Sequence, residues 1–492
     1  MFDNKIILNE FLEYSKQDSF ALYNALNKAK FFYLEKYFID ICTILSASSL
    51  SLKIFRTNYL DINIPILKNN VDHFIRKSYL GGGGATDYYK AHGKDLYYYD
   101  VNSLYPQAML KPMPLNLIKT YKNMISFSLK DFNKFFGFIK CRVTTPKNIL
   151  KPILPFKYEG KTIFPIGNWT ATYFSEEIKE AMKLGYKFEF IEGYEFDKYP
   201  LFNNYVHDFY EQKKIAKGAQ RFICKLHLNS LYGIMGRKQE LIRTINIRKA
   251  ELYKYVAISI IHSIIEISED IYVLLISDNL NTDILKELNI KLNSKYKSYN
   301  STVNSNVAIA SAITAYARIH MIPYKLNNNC YYSDTDSVIL GNELGEEQIG
   351  LEIGLMKQEL KGELIKEAYF LGLKQYGYSY FKDTDEGRKL QECSVFAGIK
   401  RDSLNLNEIK ELHLGGNIKI IIPSKFFKSF KNLNIKIKNI NLTIQANREK
   451  KLINNIYYPL TIEQNEIKYD YISILLGKIK YQINKIKKIF SS

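Results

Sequence analysis

The sequence predicts an α+β fold divided into several subdomains, and three observations carry that expectation. The chain has 492 residues, 46% of them hydrophobic, enough for more than one core. With 12 prolines and 25 glycines it is neither a disordered nor a collagen-like chain. Segments with apolar residues every three or four positions alternate with short aromatic and aliphatic runs bounded by turn residues, the marks of helices and strands. The formal net charge of +19 adds a partner class. An excess of this size calls for a polyanion, nucleic acid first and an anionic membrane surface second, whereas charge kept for solubility alone fits a smaller excess.

In chain order, residues 1 to about 75 read as helical. "YLGGGGATDYY" (79–89) breaks the pattern, and its glycines suit either a close backbone approach to a partner or a plain linker. "KDLYYYDVNSLYPQAML" (94–110) reads as a strand, a turn and a short helix. Residues 111 to about 205 read as short strands and turns with one helix at "SEEIKEAMKLG". Residues 206–233 read as one long helix ending at "NSLYG", and 234–305 as mixed. Within the latter, "YVAISIIHSIIEISEDIYVLLIS" carries Glu266, Glu269 and Asp270 near its middle, so it suits a buried helix, or a helix running into a strand, rather than a membrane span. "NVAIASAITAYARIHMI" reads as an amphipathic helix with small residues on one side. The tail from about 390 is rich in lysine, isoleucine and asparagine, with strand-like pieces.

The five cysteines are scattered without CxxC spacing, which indicates neither a zinc cluster nor a disulfide framework and fits a reducing compartment. "MFDNKIILNEFLEYSKQD" does not read as a signal peptide, and no membrane association is expected. The codon usage implied by abundant Ile, Asn, Lys, Tyr and Phe fits an AT-rich genome such as an organelle's.

"CYYSDTDSVIL" (330–340) places Asp334 and Asp336 in an apolar, strand-like run, where charge needs compensation. A regular strand points both acids to one face; a hairpin turn sends them apart. A second strand-borne acid, Asp100, ends "LYYYD". A solvated turn is the bland reading of DTD. Strand-end carboxylates brought together can instead hold hard divalent cations such as Mg²⁺, and two ions about 3.5–4 Å apart clamp the attacking and leaving oxygens of a phosphoryl transfer. In "KIAKGAQRFICKLHLNSLYG", Lys214, Lys217, Arg221 and Lys225 recur at helical spacing as one basic stripe, which suits a solvated face or a triphosphate.

"DVNSLYP" (100–106), "KLHLNSLYG" (225–233) and "YSDTDS" (332–337) resemble, in order, the three polymerase motifs of family B DNA polymerases. The forms "NSLYP" and "NSLYG" are most similar to the protein-primed branch of phages and mitochondrial linear plasmids. "YLGG" (79–82) resembles that branch's Tyr-x-Gly-Gly loop, and "LKQYGY" (373–378) its Lys-x-Tyr motif. The resemblance covers residues 10 to 400. It implies a right hand with an antiparallel palm sheet backed by helices, helical fingers, a thumb and two insertions. The implied division is an exonuclease remnant at 1–75, palm at 76–110 and 306–385, a first insertion at 111–205, fingers at 206–240, a second insertion at 241–305, and thumb with a basic tail at 386–492.

The resemblance also implies roles. Asp100, Asp336 and the Val101 carbonyl would bind two Mg²⁺ ions, or Mn²⁺, with Asp334 as a supporting acid. Tyr105 would stack under the incoming sugar and exclude a 2′-hydroxyl. Lys225 and Lys213 would contact the triphosphate, with Lys214 competing for the second place, while Asn229 and Tyr232 would shape the base-pair pocket. Tyr79, Gly81, Gly82, Lys374 and Tyr376 would contact DNA. Implied partners are template and primer DNA, deoxynucleoside triphosphates and a terminal-protein primer, acting on a monomer in a mitochondrion or on a linear plasmid. "YSKQD" (Tyr14 to Asp18) resembles the third exonuclease motif without the first two, so no proofreading is expected of the chain; an ordinary helix is the bland reading. An inactive nucleic-acid-binding remnant stands as the alternative. An RNA-copying enzyme fits less well, since it would carry adjacent aspartates.

Overall fold

The computed structural model describes residues 5–67, 69–81, 93–124, 126–238, 242–252, 255, 260–277, 305–429, 434–446, 450–453 and 456–464. The helical spacing of the first 75 residues becomes α1 (Lys5–Tyr37), α2 (Ala47–Asn58) and α3 (Asn69–Arg76). Ser46 starts α2 by accepting a hydrogen bond from the Ser49 N–H, which satisfies one of the free donors of the first turn. The aromatic run forms β1 (Tyr97–Val101), and α4 (Leu104–Met109) follows it after a two-residue turn.

Residues 113–199 form β2 (Met113–Tyr121), α5 (Leu129–Lys134), β3 (Gly137–Thr144), β4 (Phe156–Tyr158), β5 (Lys161–Ile163), β6 (Ile166–Phe174), α6 (Ser175–Lys183) and β7 (Lys187–Tyr199). β4 and β5 are short as expected, but β2, β3, β6 and β7 are longer: β7 alone runs 13 residues, because a twisted sheet with one buried face tolerates polar residues at alternate positions.

Two expected helices differ. The stretch 206–233 is not one helix but α7 (Asn203–Ile215) and α8 (Gly218–Met235). Ala216 and Lys217 are extended and Gly218 is left-handed at φ 54, which ends one right-handed helix before the next begins. Residues 260–277 are not helical but an antiparallel pair, β9 (Ile260–Glu266) and β10 (Ile271–Ser277), joined to β8 (Ile242–Arg248). The isoleucines fit a pleated surface, and Glu269 and Asp270 sit in the intervening turn, in reach of water.

Helix α9 (Val307–Lys325) forms where expected, with the Asn306 side chain accepting from the Ala308 N–H. It is not amphipathic. Buried residues from Val307 to Met321 surround it, including Arg318. Its alanines let α3, α4, α8 and the β2 sheet pack on several sides, the situation of a helix in the middle of a core.

Next come β11 (Cys330–Asp334), β12 (Ser337–Leu340), β13 (Met356–Gln358), β14 (Ile365–Gly372), β15 (Gln375–Thr384) and β16 (Gly387–Phe396). The tail holds a helix the sequence did not announce, α10 (Leu406–His413), begun by a reciprocal Asn405–Glu408 capping box. It also holds β17 (Ile418–Ser429), β18 (Asn434–Ile444), β19 (Lys450–Ile453), β20 (Ile456–Pro459) and β21 (Thr461–Glu463). The central sheet has the order β11-β12-β1-β13, and each of its neighbouring pairs is antiparallel. A second sheet, β2-β7-β3-β6-β21, receives β21 parallel to β6, so the tail returns to the 113–199 region. The largest core joins α1–α4, α7–α9 and the central sheet.

Within that core the buried His227 of α8 ties the first two helices to α7. Ser51 gives its single proton to the Ala47 carbonyl (2.8 Å), so its Oγ accepts from His227 Nδ1–H (2.8 Å). That tautomer leaves Nε2 to accept from the Tyr33 hydroxyl at 2.6 Å, and Tyr205 donates to the His227 carbonyl at 3.0 Å. Burial pulls the imidazole pKa from 6.5 to about 4. The depressed value means that the unfolded chain takes up a proton before the folded one. Stability is therefore complete above pH 6.5 and lost as pH falls towards 4, at about 1.4 kcal/mol per pH unit. In urea titrations at pH 7.5 and 5, His227→Gln should flatten this dependence; an unchanged slope would exclude His227 as its source.

Candidate active site

Strand β1 lies between β12 and β13, and the antiparallel register sets Asp100 opposite Ser337 on one side and Lys357 on the other. The Val101 N–H donates to the Asp336 carbonyl at 2.8 Å, which fastens the β11–β12 turn to the end of β1. Asp334 pairs with Ser337, leaving Thr335 and Asp336 as a two-residue hairpin turn with Thr335 left-handed at φ 54. The acids therefore do not share one strand face. Asp334 Oδ2 lies 3.6 Å from Lys374 Nζ, while Asp336 stands close enough to Asp100 to oppose its ionisation.

Burial first, and then the Asp336 charge, pushes the Asp100 carboxyl up to about 6, against the opposing pull of Lys357. Asp336 is also raised, by burial and by Asp334. Two half-buried carboxylates that resist carrying charge together are completed by a cation. An ammonium already stands there: Lys357 Nζ is 3.3 Å from Asp100 Oδ1. Among the described residues no group of three or more His, Cys, Asp or Glu is gathered for a metal. The oxygen-only pair nevertheless fits Mg²⁺, which usually keeps waters and takes one or two carboxylates together with substrate phosphates.

The nucleotide side is built from α4, α7 and α8. Tyr105 of α4 stacks on Tyr232 of α8, with ring centres 4.2 Å apart and planes 5° from parallel. Lys225, Asn229 and Tyr232 recur along one face of α8, the first two exposed and Tyr232 half-buried. Lys213 donates to Ser103 Oγ at 2.8 Å, and burial beside Arg221 and Lys225 lowers its pKa to about 8. Lys214 instead faces Glu211 and Glu352 at 3.1 and 3.0 Å, which separates the two competing lysines. The expected single basic stripe does not exist, because Lys214 belongs to α7, Lys217 lies in the extended break, and Arg221 and Lys225 belong to α8.

Lys374 occupies the β14–β15 turn at φ 56, and its N–H donates to the Tyr332 hydroxyl at 2.9 Å. Tyr376 is buried, its ring tilted against Tyr332 at 4.9 Å, so it supports the acid hairpin from behind. Tyr79 packs against Gly236 at the end of α8, where an added Cβ would lie 2.5 Å from its ring. Among the described residues nothing lies within 4 Å of a Cβ placed on Gly81, and Gly82 lies outside the described residues. Tyr14 and Asp18 are exposed one turn apart on α1, with no side-chain hydrogen bond or ion pair among the described residues.

Sequence reasoning missed Ser103, Lys357 and Glu359. Lys357 and Glu359 stand two residues apart and enter through strand pairing, which leaves no local mark. Ser103 stands inside "DVNSLYP" at φ 59. Three of the eight left-handed non-glycine residues among those described, Ser103, Thr335 and Lys374, fall in this site, where such strain commonly gathers.

The family model described as DNA polymerase type B, organellar and viral, matches residues 3–329. The chain belongs to this family. Among relatives of the type B chain, a probable DNA polymerase of Podospora anserina is 31% identical over 467 residues, covering 90% of this chain and 38% of that protein. Its counterpart from Neurospora intermedia is 33% identical over 455 residues, covering 89% and 44%. The type B chain thus spans less than half the length of these two fungal proteins. The structure of Phi29 DNA polymerase with primer-template DNA and incoming nucleotide superposes with a TM-score of 0.59 at 18% identity, covering 82% of this chain and 68% of that one. The fold is therefore the expected right-hand polymerase architecture.

Proposed function

We propose that the chain is a template-directed DNA polymerase that extends a primer 3′ end by phosphoryl transfer. The observation that carries this reading is the convergence of three distant segments on one site. The Asp100 and Asp336 turns meet at one end of the central sheet, the rings of Tyr105 and Tyr232 stack, and Lys213 reaches Ser103. Asp100, Asp336 and the Val101 carbonyl would hold two Mg²⁺ ions. These would supply charge neutralisation at the attacking and leaving oxygens. Lys213 and Lys225 would hold the triphosphate, Tyr105 and Tyr232 the sugar and base pair, and Lys374 the primer end.

The central sheet with α9 is assigned as palm, α7 and α8 as fingers, the sheets around β3 and β10 as the two insertions, and residues from 386 onward as thumb and tail. The sheet around β3 takes β21 back from that tail. A terminal-protein primer, and an organelle or linear plasmid as setting, belong to the same reading and are supported by the motif forms and by the organellar and viral description of the family. Among the described residues no helix is long and apolar enough to cross a membrane.

Primer extension on DNA and RNA templates with Mg²⁺ tests the reading. Extension on DNA supports it; binding without extension identifies an inactive remnant, and preference for the RNA template rejects DNA as the natural template. A second test addresses Tyr105. Tyr105→Val removes the ring and its stack on Tyr232, opening the space a 2′-hydroxyl needs. Ribonucleotide incorporation relative to deoxynucleotide should rise by about tenfold to a hundredfold. An unchanged ratio rejects Tyr105 as the sugar gate.

A further inference from the structure

We propose that Lys357 is a resident counter-cation of the divalent-ion site, shared between Asp100 and Glu359 when no metal is bound and left to Glu359 alone when metal arrives. The inference rests on the polymerase reading above and adds a residue that sets how tightly the ion is held. Lys357 lies directly opposite Asp100 in the β1–β13 pair, so both side chains leave the same face of the sheet. Its ammonium is 3.3 Å from Asp100 Oδ1 and is also ion-paired with Glu359, the residue just beyond β13. One flexible cation thus has two acceptors, one inside the site and one at its rim.

The geometry sets up a competition. Asp100 has an acid, Asp336, on one flank and a cation on the other. With the site metal-free, the ammonium offsets the repulsion between the two acids. A divalent ion bound through Asp100 would stand within a few ångströms of that ammonium, and like charges at this range repel strongly in a half-buried site. Glu359 gives Lys357 a place to withdraw without becoming an unpaired charge. Removing the ammonium should tighten divalent-ion binding, and removing the retreat should weaken it. A lysine that merely braces the strand would give the opposite result, because losing it would loosen the site.

The test is Mn²⁺ binding to the purified chain without DNA or nucleotide, followed by the electron paramagnetic resonance of free Mn²⁺. Lys357→Met and Lys357→Gln should each bind Mn²⁺ about tenfold more tightly than the unaltered chain. Lys357→Arg, which keeps the charge, should stay near the unaltered chain. Glu359→Gln should bind about threefold more weakly. Asp336→Ala serves as the control for the metal reading itself. If it leaves Mn²⁺ binding unchanged, the site assigned under the proposed function fails. If it removes binding while Lys357→Met and Lys357→Gln leave the affinity unchanged or lower, only the role of Lys357 is overturned.

Discussion

Asp336→Ala should remove primer extension, by on the order of 10³-fold or more, while leaving DNA retention close to that of the unaltered chain. The substitution spares the backbone contact that positions the turn, since it is the Asp336 carbonyl that accepts from the Val101 N–H. What disappears is one of the two carboxylates that, on the proposed function, would face the reacting phosphates. Asp100 is then left with Lys357, whose single charge cannot replace a divalent ion between the attacking and leaving oxygens. DNA retention depends on a different quantity, the net charge of +19 spread over the chain. Asp100→Ala should behave alike, with Lys357 left to Glu359. Single-turnover extension and a mobility-shift assay on the same preparations separate the two effects. Extension within about tenfold of the unaltered rate for either variant would sink the assignment.

Glu177→Ala should lower the unfolding free energy by about 3–5 kcal/mol. Arg318 Nε reaches Glu177 Oε1 at 2.6 Å and its Nη2 reaches Oε2 at 2.9 Å, with both side chains almost wholly buried. The pair joins α9 to α6, and Arg318 Nη1 also donates to the Leu80 carbonyl at 2.9 Å. Taking away the carboxylate leaves a guanidinium in the core with one backbone acceptor. The penalty comes mainly from that stranded charge, not from the lost attraction. The double variant Glu177→Ala with Arg318→Met should therefore recover a substantial part of the loss. Urea denaturation of the two variants checks both statements. A loss below about 1 kcal/mol in the single variant would mean that water reaches the arginine.

The site was legible in the sequence to the extent that its parts are local. Asp100, Tyr105, Lys225 and Asp336 each lie in a stretch whose neighbours fix a strand end, a short helix or a turn. Motifs of that kind survive without knowledge of the rest of the chain. Lys357 shows where such reading stops: its importance comes from standing opposite Asp100, and a strand partner 257 positions away is set by the sheet. The same limit explains the helix errors. Nothing in the spacing of Lys214, Lys217, Arg221 and Lys225 reveals that Gly218 adopts a left-handed backbone. Periodicity alone likewise does not separate an isoleucine-rich hairpin from a buried helix at 260–277. Helix α9 was recognised as a helix but mistaken in its surroundings, because how many sides of a helix are covered depends on the elements that pack around it.

Tyr332 stands two residues before Asp334. Its hydroxyl accepts from the Lys374 N–H, its ring stacks on Phe370 with planes 5° apart, and Tyr376 leans against it. The β11–β12 hairpin and the β14–β15 turn are thereby one mechanical piece, with the phenol ring as its linkage. A displacement of the Lys374 turn would reach the acid hairpin through the ring, because a close-packed aromatic stack leaves little slack. On the proposed function, a primer end resting against Lys374 would hold a lever on the carboxylates, and a poorly seated end would misalign Asp334 and Asp336 before any bond is made.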